Sequence, residues 1–233
     1  TKSLVEGNQT LKAYDWLRAE LLSCRLQPGD RINVSTYAQS LEISPGAVRE
    51  ALSRLIAEGL VKSEQNRGFR AADLAIEDFV KVTEARTAID SLCLRSSMES
   101  GDVEWESNLL AACHRMERRL EGLDGTREAD DLFAEAHSAF HKALVAGCQN
   151  EWLLWMHDLL YAQAARYRQL CMPVTQDKPR LHAFQGEFIT TVIARDGDKA
   201  IALLHDYYGS ARDIVIESLR KTGQLKLVSG GRS

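Results

Sequence analysis

The sequence lacks the features that several common classes of protein require. No apolar run in the 233 residues approaches the roughly 20 residues that span a bilayer as a helix, so no membrane partner is expected. There is no nucleophile elbow, phosphate-binding loop or dinucleotide-binding fingerprint, and no internal repeat. The five cysteines form no C-x-x-C pair, so we expect reduced, buried thiols and a cytoplasmic protein.

An excess of positive charge is also missing. The formal net charge is −4, and residues 1–75 carry 10 Lys and Arg against 9 Asp and Glu. Residues 76–233 carry 19 Lys and Arg against 24 Asp and Glu. Binding to a nucleic acid would therefore depend on a few well-placed cations rather than on a broad positive field.

Two short helices joined by a tight corner are predicted for residues 34–59. Ser35 is expected to cap the first helix and Ser44 the second, where Pro45 occupies the first position, which tolerates proline. On the second helix, four apolar residues share one face and are predicted to pack inward: Val48, Ala51, Leu52 and Leu55. The opposite face is predicted to be exposed and carries Gly46, Arg49, Glu50 and Ser53.

The segments on either side of this pair extend the pattern. An amphipathic helix is predicted over residues 10–24, and strands over residues 60–63 and 69–71 flank a hairpin tip at residues 65–68. This order of elements, three helices followed by a two-stranded wing, is typical of a winged helix-turn-helix domain. We place that domain at residues 8–73. Arg49, at the front of the recognition helix, suits bidentate hydrogen bonding to guanine.

The rest of the chain is predicted to be an all-α helical bundle over residues 76–222. Its six helices are expected at residues 76–100, 103–121, 128–148, 151–171, 178–194 and 198–222. The fold class is therefore mainly α, with an N-terminal winged helix-turn-helix domain and a C-terminal helical domain.

Two pairs of residues in the helical part suggest a binding site. His137 and His141 are four residues apart, so both rings can face one point and hold a divalent metal such as Zn²⁺ or Ni²⁺, or line a hydrogen-bonded pocket. Arg86 lies near an apolar face and needs a partner, either Asp90 or the carboxylate of a small acid. A metal-dependent hydrolase using the two histidines is the alternative, but Ser138 stands where such enzymes place a glutamate.

Several motifs resemble those of a known family. The first part of the chain resembles the DNA-binding domain of GntR-family transcription regulators, and the second resembles the helical effector (FCD) domain of the FadR subfamily. The first resemblance rests on Leu26-x-Pro28-Gly29-x-Arg31-Ile32, Val48-Arg49-Glu50-Ala51-Leu52-x-Arg54-Leu55, Glu58-Gly59-Leu60-Val61 and Arg67-Gly68-Phe69. The second rests on Glu84-x-Arg86 with Asp90, His137-x-x-x-His141 before Asn150, and Arg195-Asp196 followed by Ala200.

The resemblance implies a homodimer that binds operator double-stranded DNA and a small carboxylic acid. The expected DNA contacts are Arg31, Ser35, Ser44, Gly46, Arg49, Ser53, Arg67 and Gly68. The expected effector contacts are Arg86, His137, His141, Arg166, Gln185 and Tyr207. The chain departs from the family at Pro45-Gly46-Ala47, where Arg-Thr-Pro is usual, and at Gln185 and Tyr207, where many relatives have metal-binding histidines.

Within the subfamily, Gly46 ahead of Val48-Arg49-Glu50-Ala51-Leu52, together with the histidine pair, most resembles the carbon-starvation-induced regulator group. The function that follows is that of a non-enzymatic transcription regulator. We expect a repressor that leaves its operator when a small organic acid binds in the helical domain.

Overall fold

The computed structural model describes residues 2–64, 68–171 and 178–223, apart from the side chains of residues 2–7, 178–185 and 222. The chain divides into two compact units. The first comprises the residues up to Ala75 together with the short segment Ala165–Leu170, and the second comprises Ile76–Ala164 and the described residues from Cys171 onward.

The first unit is built from three helices and a small sheet. The elements in chain order are α1 (Lys2–Leu22), β1 (Arg31–Ile32), α2 (Val34–Ser40), α3 (Pro45–Ala57), β2 (Val61–Glu64) and β3 (Gly68–Ala71). All three strands are antiparallel in the order β1-β3-β2. This arrangement confirms the predicted winged helix-turn-helix fold. The two-residue strand β1 was not predicted, because so short a segment has no alternating pattern to detect.

Side chains at two helix starts fix the corner between α2 and α3. Ser44 caps α3 as predicted, because its hydroxyl accepts the Ala47 amide at 3.2 Å. The predicted cap of α2 was wrong. Asn33 takes that role by accepting the Ser35 and Thr36 amides at 3.0 and 3.2 Å, which places Ser35 inside the first turn. Asparagine caps as well as serine, and the assignment missed the true start by two residues.

The core of the first unit forms where the apolar faces of its helices meet. The predicted inward face of α3 is confirmed, since Val48, Ala51, Leu52 and Leu55 are all fully buried. They pack against Leu17 and Leu21 of α1 and against Leu60 ahead of the wing. Burial of each leucine contributes about 1.5–3 kcal/mol relative to exposure, so this core holds the outer face of α3 in a fixed orientation.

The second unit contains the predicted series of helices. They are α4 (Ile76–Ser100), α5 (Val103–Glu121), α6 (Arg127–Val145), α7 (Glu151–Cys171), α8 (Lys178–Ile193) and α9 (Gly197–Thr222). Most boundaries match the prediction. Helix α6 ends at Val145 rather than at residue 148, and the chain continues through a turn closed by the Cys148 amide and the Val145 carbonyl.

Two glycines allow the ends of α4 and α6 to approach closely. A side chain at Gly101 would collide with the Trp105 ring and the Ser97 carbonyl, and one at Gly147 would lie 2.9 Å from that same carbonyl and 3.1 Å from Cα of Gly101. The main apolar core of this unit is formed by α4, α5, α6, α8 and α9 and includes Leu94, Leu109, Met116, Phe140, Phe188 and Leu204.

The cysteines are in the state expected from the sequence. All five cysteines are buried free thiols. Among the described residues, no helix is both long and apolar enough to cross a membrane.

Candidate functional site

The outer face of α3 is the first candidate site. Gly46, Arg49 and Ser53 are all exposed on it, as predicted. The Arg49 guanidinium forms no ion pair with any residue that the structure describes, and the Ser53 hydroxyl donates to the Arg49 carbonyl at 3.0 Å. Arg49 is therefore available to a partner outside the protein.

Other cationic side chains of the first unit form ion pairs. The exposed carboxylate of Glu50 pairs with Arg54 at 2.8 Å and accepts the Thr10 hydroxyl at 3.1 Å. In the wing, Arg70 pairs with Glu64 at 2.9 Å, and Lys62 with Asp73 at 3.0 Å. Because Glu50 pairs with Arg54, it does not form an ion pair with the neighbouring Arg49.

Gly46 has no packing role within the first unit. A side chain added there would meet only the Ser44 hydroxyl, at 3.8 Å, and the φ angle does not require glycine. No contact within the described part of the first unit therefore requires glycine at this position.

The remaining predicted DNA contacts surround α3 in the sequence. Arg31 is exposed on β1, where it pairs in register with Arg70 of β3, and Ser35 is exposed in the first turn of α2. Gly68 begins β3 with φ of +90°, a backbone conformation that favours glycine. Arg67 lies outside the described residues.

The second candidate site is a buried polar cluster inside the helical unit. Four helices contribute to it, and we define the cluster by seven residues: Arg86 and Asp90 from α4, His137 and His141 from α6, His157 and Tyr161 from α7, and Tyr208 from α9. Each of them is less than a tenth exposed. Burying a polar group this deeply costs free energy unless the group is hydrogen-bonded.

Asp90 is the centre of this cluster. One carboxylate oxygen accepts His157 Nδ1 at 2.7 Å, and the other accepts Arg86 Nε at 3.2 Å and the Tyr208 hydroxyl at 2.6 Å. Burial alone would raise the pKa of Asp90, but the hydrogen bond from His157 and the charge of Arg86 outweigh it and hold the pKa below its usual value. Asp90 is therefore a carboxylate at neutral pH.

Arg86 is enclosed by aromatic rings and hydrogen-bond acceptors. Its guanidinium carbon lies 4.4 Å from the Tyr208 ring centre and 5.0 Å from that of Tyr161, within the range of cation–π attraction. Nη2 donates to the Tyr208 hydroxyl at 2.9 Å and to His141 Nδ1 at 3.2 Å. Burial opposes the charged form, but Tyr208 and Asp90 raise the pKa of Arg86, so the cluster contains a permanent cation.

The two predicted histidines do lie together. The His137 and His141 ring centres are 4.5 Å apart. His137 Nδ1 is 2.9 Å from the Tyr161 hydroxyl. Since a guanidinium can only donate, His141 accepts the Arg86 hydrogen bond through Nδ1, and the proton of a neutral His141 is on Nε2. One ring nitrogen of each histidine is thus already in a hydrogen bond within the protein.

Two other predicted effector residues, Arg166 and Tyr207, are placed differently. Arg166 belongs to the segment that groups with the first unit, where its guanidinium donates to the Ala72 carbonyl. Tyr207 lies beside Tyr208, with ring centres 5.9 Å apart, but the Tyr208 hydroxyl is the one that reaches Arg86. The side chain of Gln185 lies outside the described residues.

Three members of the cluster were not predicted from the sequence. They are His157, Tyr161 and Tyr208. His157 and Tyr161 are four residues apart on α7, the same spacing as Arg86 with Asp90 and His137 with His141, so that spacing is the signal that could have found them.

A divalent metal is a poor match for these residues. Within the described part of the chain, no three or more His, Cys, Asp or Glu side chains are arranged to hold a metal ion. The guanidinium of Arg86 is also 3.2 Å from His141 Nδ1, and its charge would repel a second cation bound to that ring.

Both parts of the chain match known protein families. Residues 9–70 match the model of the bacterial regulatory proteins of the gntR family, and residues 81–210 match the FCD domain. The chain is 30% identical over 205 residues to the HTH-type transcriptional repressor GlaR of Escherichia coli, with 85% of this chain and 91% of GlaR covered. It is 30% identical over 221 residues to the regulator BphR of Paraburkholderia xenovorans, with 92% and 86% covered.

Solved structures show the same fold. Escherichia coli McbR/YncC superposes with a TM-score of 0.77 at 16% identity, over 90% of this chain and 97% of that one. A putative GntR transcriptional regulator from Rhodococcus sp. RHA1 superposes with a TM-score of 0.75 at 20% identity, over 90% and 98%.

A winged helix whose third helix exposes its outer face, joined to a helical unit with a buried polar site, is the arrangement expected of a DNA-binding transcription regulator. The chain belongs to the GntR family, and its second unit is an FCD domain. The matches support a regulator that binds operator DNA and do not support a hydrolase. Placement in the carbon-starvation-induced group stays a prediction.

Proposed function

We propose that the chain is a homodimeric, cytoplasmic repressor, and that a small organic acid bound at the polar cluster releases it from its operator. The observation that carries this proposal is the permanent cation of Arg86, held in the interior of the FCD domain among three histidines and two tyrosines. GlaR, a relative matched over most of its length, is named a repressor, which favours repression over activation.

The chemistry of the cluster favours an anionic ligand. Arg86 and Asp90 balance each other in charge, and Arg86 uses Nε and Nη2 for internal hydrogen bonds. Among the described residues, no hydrogen bond is formed by Nη1 of Arg86. A carboxylate can accept from this nitrogen, and charge-assisted hydrogen bonds of this kind are stronger than neutral ones.

Release from DNA follows from differential binding. The cluster joins α4, α6, α7 and α9, so a ligand that inserts among these side chains binds some arrangements of the helices more tightly than others. A ligand shifts an equilibrium only by its difference in affinity for the two states. By linkage, an acid that binds the DNA-free state 30-fold more tightly would lower operator affinity by about 30-fold.

A binding assay tests this proposal. We expect saturating concentrations of one acid from a panel of short mono- and dicarboxylates to weaken binding to a selected operator by about 5- to 150-fold, measured by fluorescence anisotropy. Arg86→Lys should keep operator affinity and lose most of the response, because an ammonium cannot replace the planar guanidinium. The matched control is Arg95→Lys, since Arg95 pairs with Asp198 at the surface of the same helix. An unchanged response in Arg86→Lys would contradict the proposal.

We further propose that the site acts without a tightly bound metal. Protein purified without added metal should contain far less than one equivalent of zinc or nickel by elemental analysis, because the Arg86 guanidinium beside His141 repels a cation. A stoichiometric content that disappears in a His137→Ala, His141→Ala double variant would overturn this expectation.

A further inference from the structure

One polar atom attached to the cluster has no partner. His157 is only 2% exposed, and its Nε2 forms no hydrogen bond with any residue that the structure describes. The other nitrogen of the ring is bound to Asp90 at 2.7 Å. Buried polar atoms without a partner are uncommon in native proteins, and each one calls for an explanation.

The hydrogen-bond pattern defines what Nε2 can bind. Asp90 is ionised and can only accept, so Nδ1 of His157 carries the proton that the carboxylate receives. Nε2 is therefore the ring nitrogen that is open to a ligand. A hydroxyl group matches it because a hydroxyl can both donate and accept a hydrogen bond.

The same carboxylate brings the two groups that a ligand could engage close together. Arg86 is held by one oxygen of Asp90 and His157 by the other, so the guanidinium and the imidazole are neighbours. A small molecule that engages both carries a carboxylate and a second hydrogen-bonding group close to it. An ammonium group would be repelled by Arg86, whereas a hydroxyl carries no charge.

We propose that the effector of this protein is a short hydroxy acid, and that its hydroxyl forms a hydrogen bond with His157 Nε2 while its carboxylate accepts from Arg86. This inference rests on the proposed function, because it concerns the ligand of the same cluster. His157 is then a specificity residue, and Asp90 positions it by fixing its tautomer.

Matched pairs of acids test the inference. Succinate with malate, glutarate with 2-hydroxyglutarate, and butyrate with 2-hydroxybutyrate differ only by one hydroxyl. In at least one pair we expect the hydroxy acid to bind the full-length protein about 10-fold more tightly by isothermal titration calorimetry, the ratio contributed by one hydrogen bond. His157→Phe should bind both members of that pair equally, because phenylalanine fills the site without an acceptor.

A second variant separates specificity from folding. The amide of His157→Gln can donate to Asp90 and still form a hydrogen bond with the ligand, so it should restore part of the preference that His157→Phe loses. If both acids of every pair bind the wild type equally, the inference fails, the proposed function stands, and a buried water is the partner of Nε2. If no acid binds or alters operator affinity, the proposed function itself fails.

Discussion

Asp90→Asn should lower the free energy of unfolding by about 3–5 kcal/mol, the cost of removing one partner from a buried ion pair. The amide keeps the shape of the side chain but removes its charge. Arg86 would remain buried without a counterion, and the short hydrogen bonds from His157 and Tyr208 would lose their charged acceptor. Urea denaturation followed by circular dichroism at pH 7 measures the change.

The pH dependence of stability provides a second check on Asp90. Its folded-state pKa is held below the ordinary value, so its stabilising contribution is fully present above the unfolded-state pKa, about 3.9. That contribution is lost as the pH falls through the folded-state value. The stability gap between the wild type and Asp90→Asn should therefore narrow on acidification below about pH 4.

Asp158→Asn is the matched control for this experiment. Asp158 is exposed on α7, next in sequence to His157, and surface substitutions of this kind usually change stability by no more than about 0.5 kcal/mol. If Asp158→Asn and Asp90→Asn reduce stability equally, then Asp90 is not the centre of a stabilising cluster.

The winged helix could be predicted because its signals are local. Ser44 followed by Pro45 defines the start of α3, and the spacing of Val48 and Leu52 defines its inner face. These features depend on side chains within a few residues of one another. Where two caps compete within a short segment, as with Asn33 and Ser35, the sequence does not rank them, and the wrong residue was chosen.

The polar cluster could be predicted only in part. The pairs Arg86 with Asp90 and His137 with His141 follow from helical spacing, but Asp90 meets His157 across 67 positions of sequence. Such contacts depend on how helices pack. Tyr208 shows the same limit, since the family resemblance indicated Tyr207, and one residue rotates a side chain by about 100° around a helix.

Arg49→Ala should weaken binding to a selected operator by about 5- to 150-fold, which corresponds to the roughly 1–3 kcal/mol of a bidentate contact with guanine. Arg49 is exposed on α3 and forms no ion pair among the described residues, so its removal leaves the fold intact. The operator is first selected from random duplexes with the wild-type protein, and both affinities are then measured by fluorescence anisotropy at one salt concentration.

The loss must depend on sequence if Arg49 reads a base. Against a random duplex, Arg49→Ala should bind nearly as well as the wild type, so the ratio of specific to non-specific affinity falls. Lys81→Ala is the control, because it removes one exposed positive charge from α4 of the other unit and should leave that ratio unchanged. An equal loss on operator and random duplex would assign Arg49 to the phosphate backbone, where contacts position the protein but carry no sequence information.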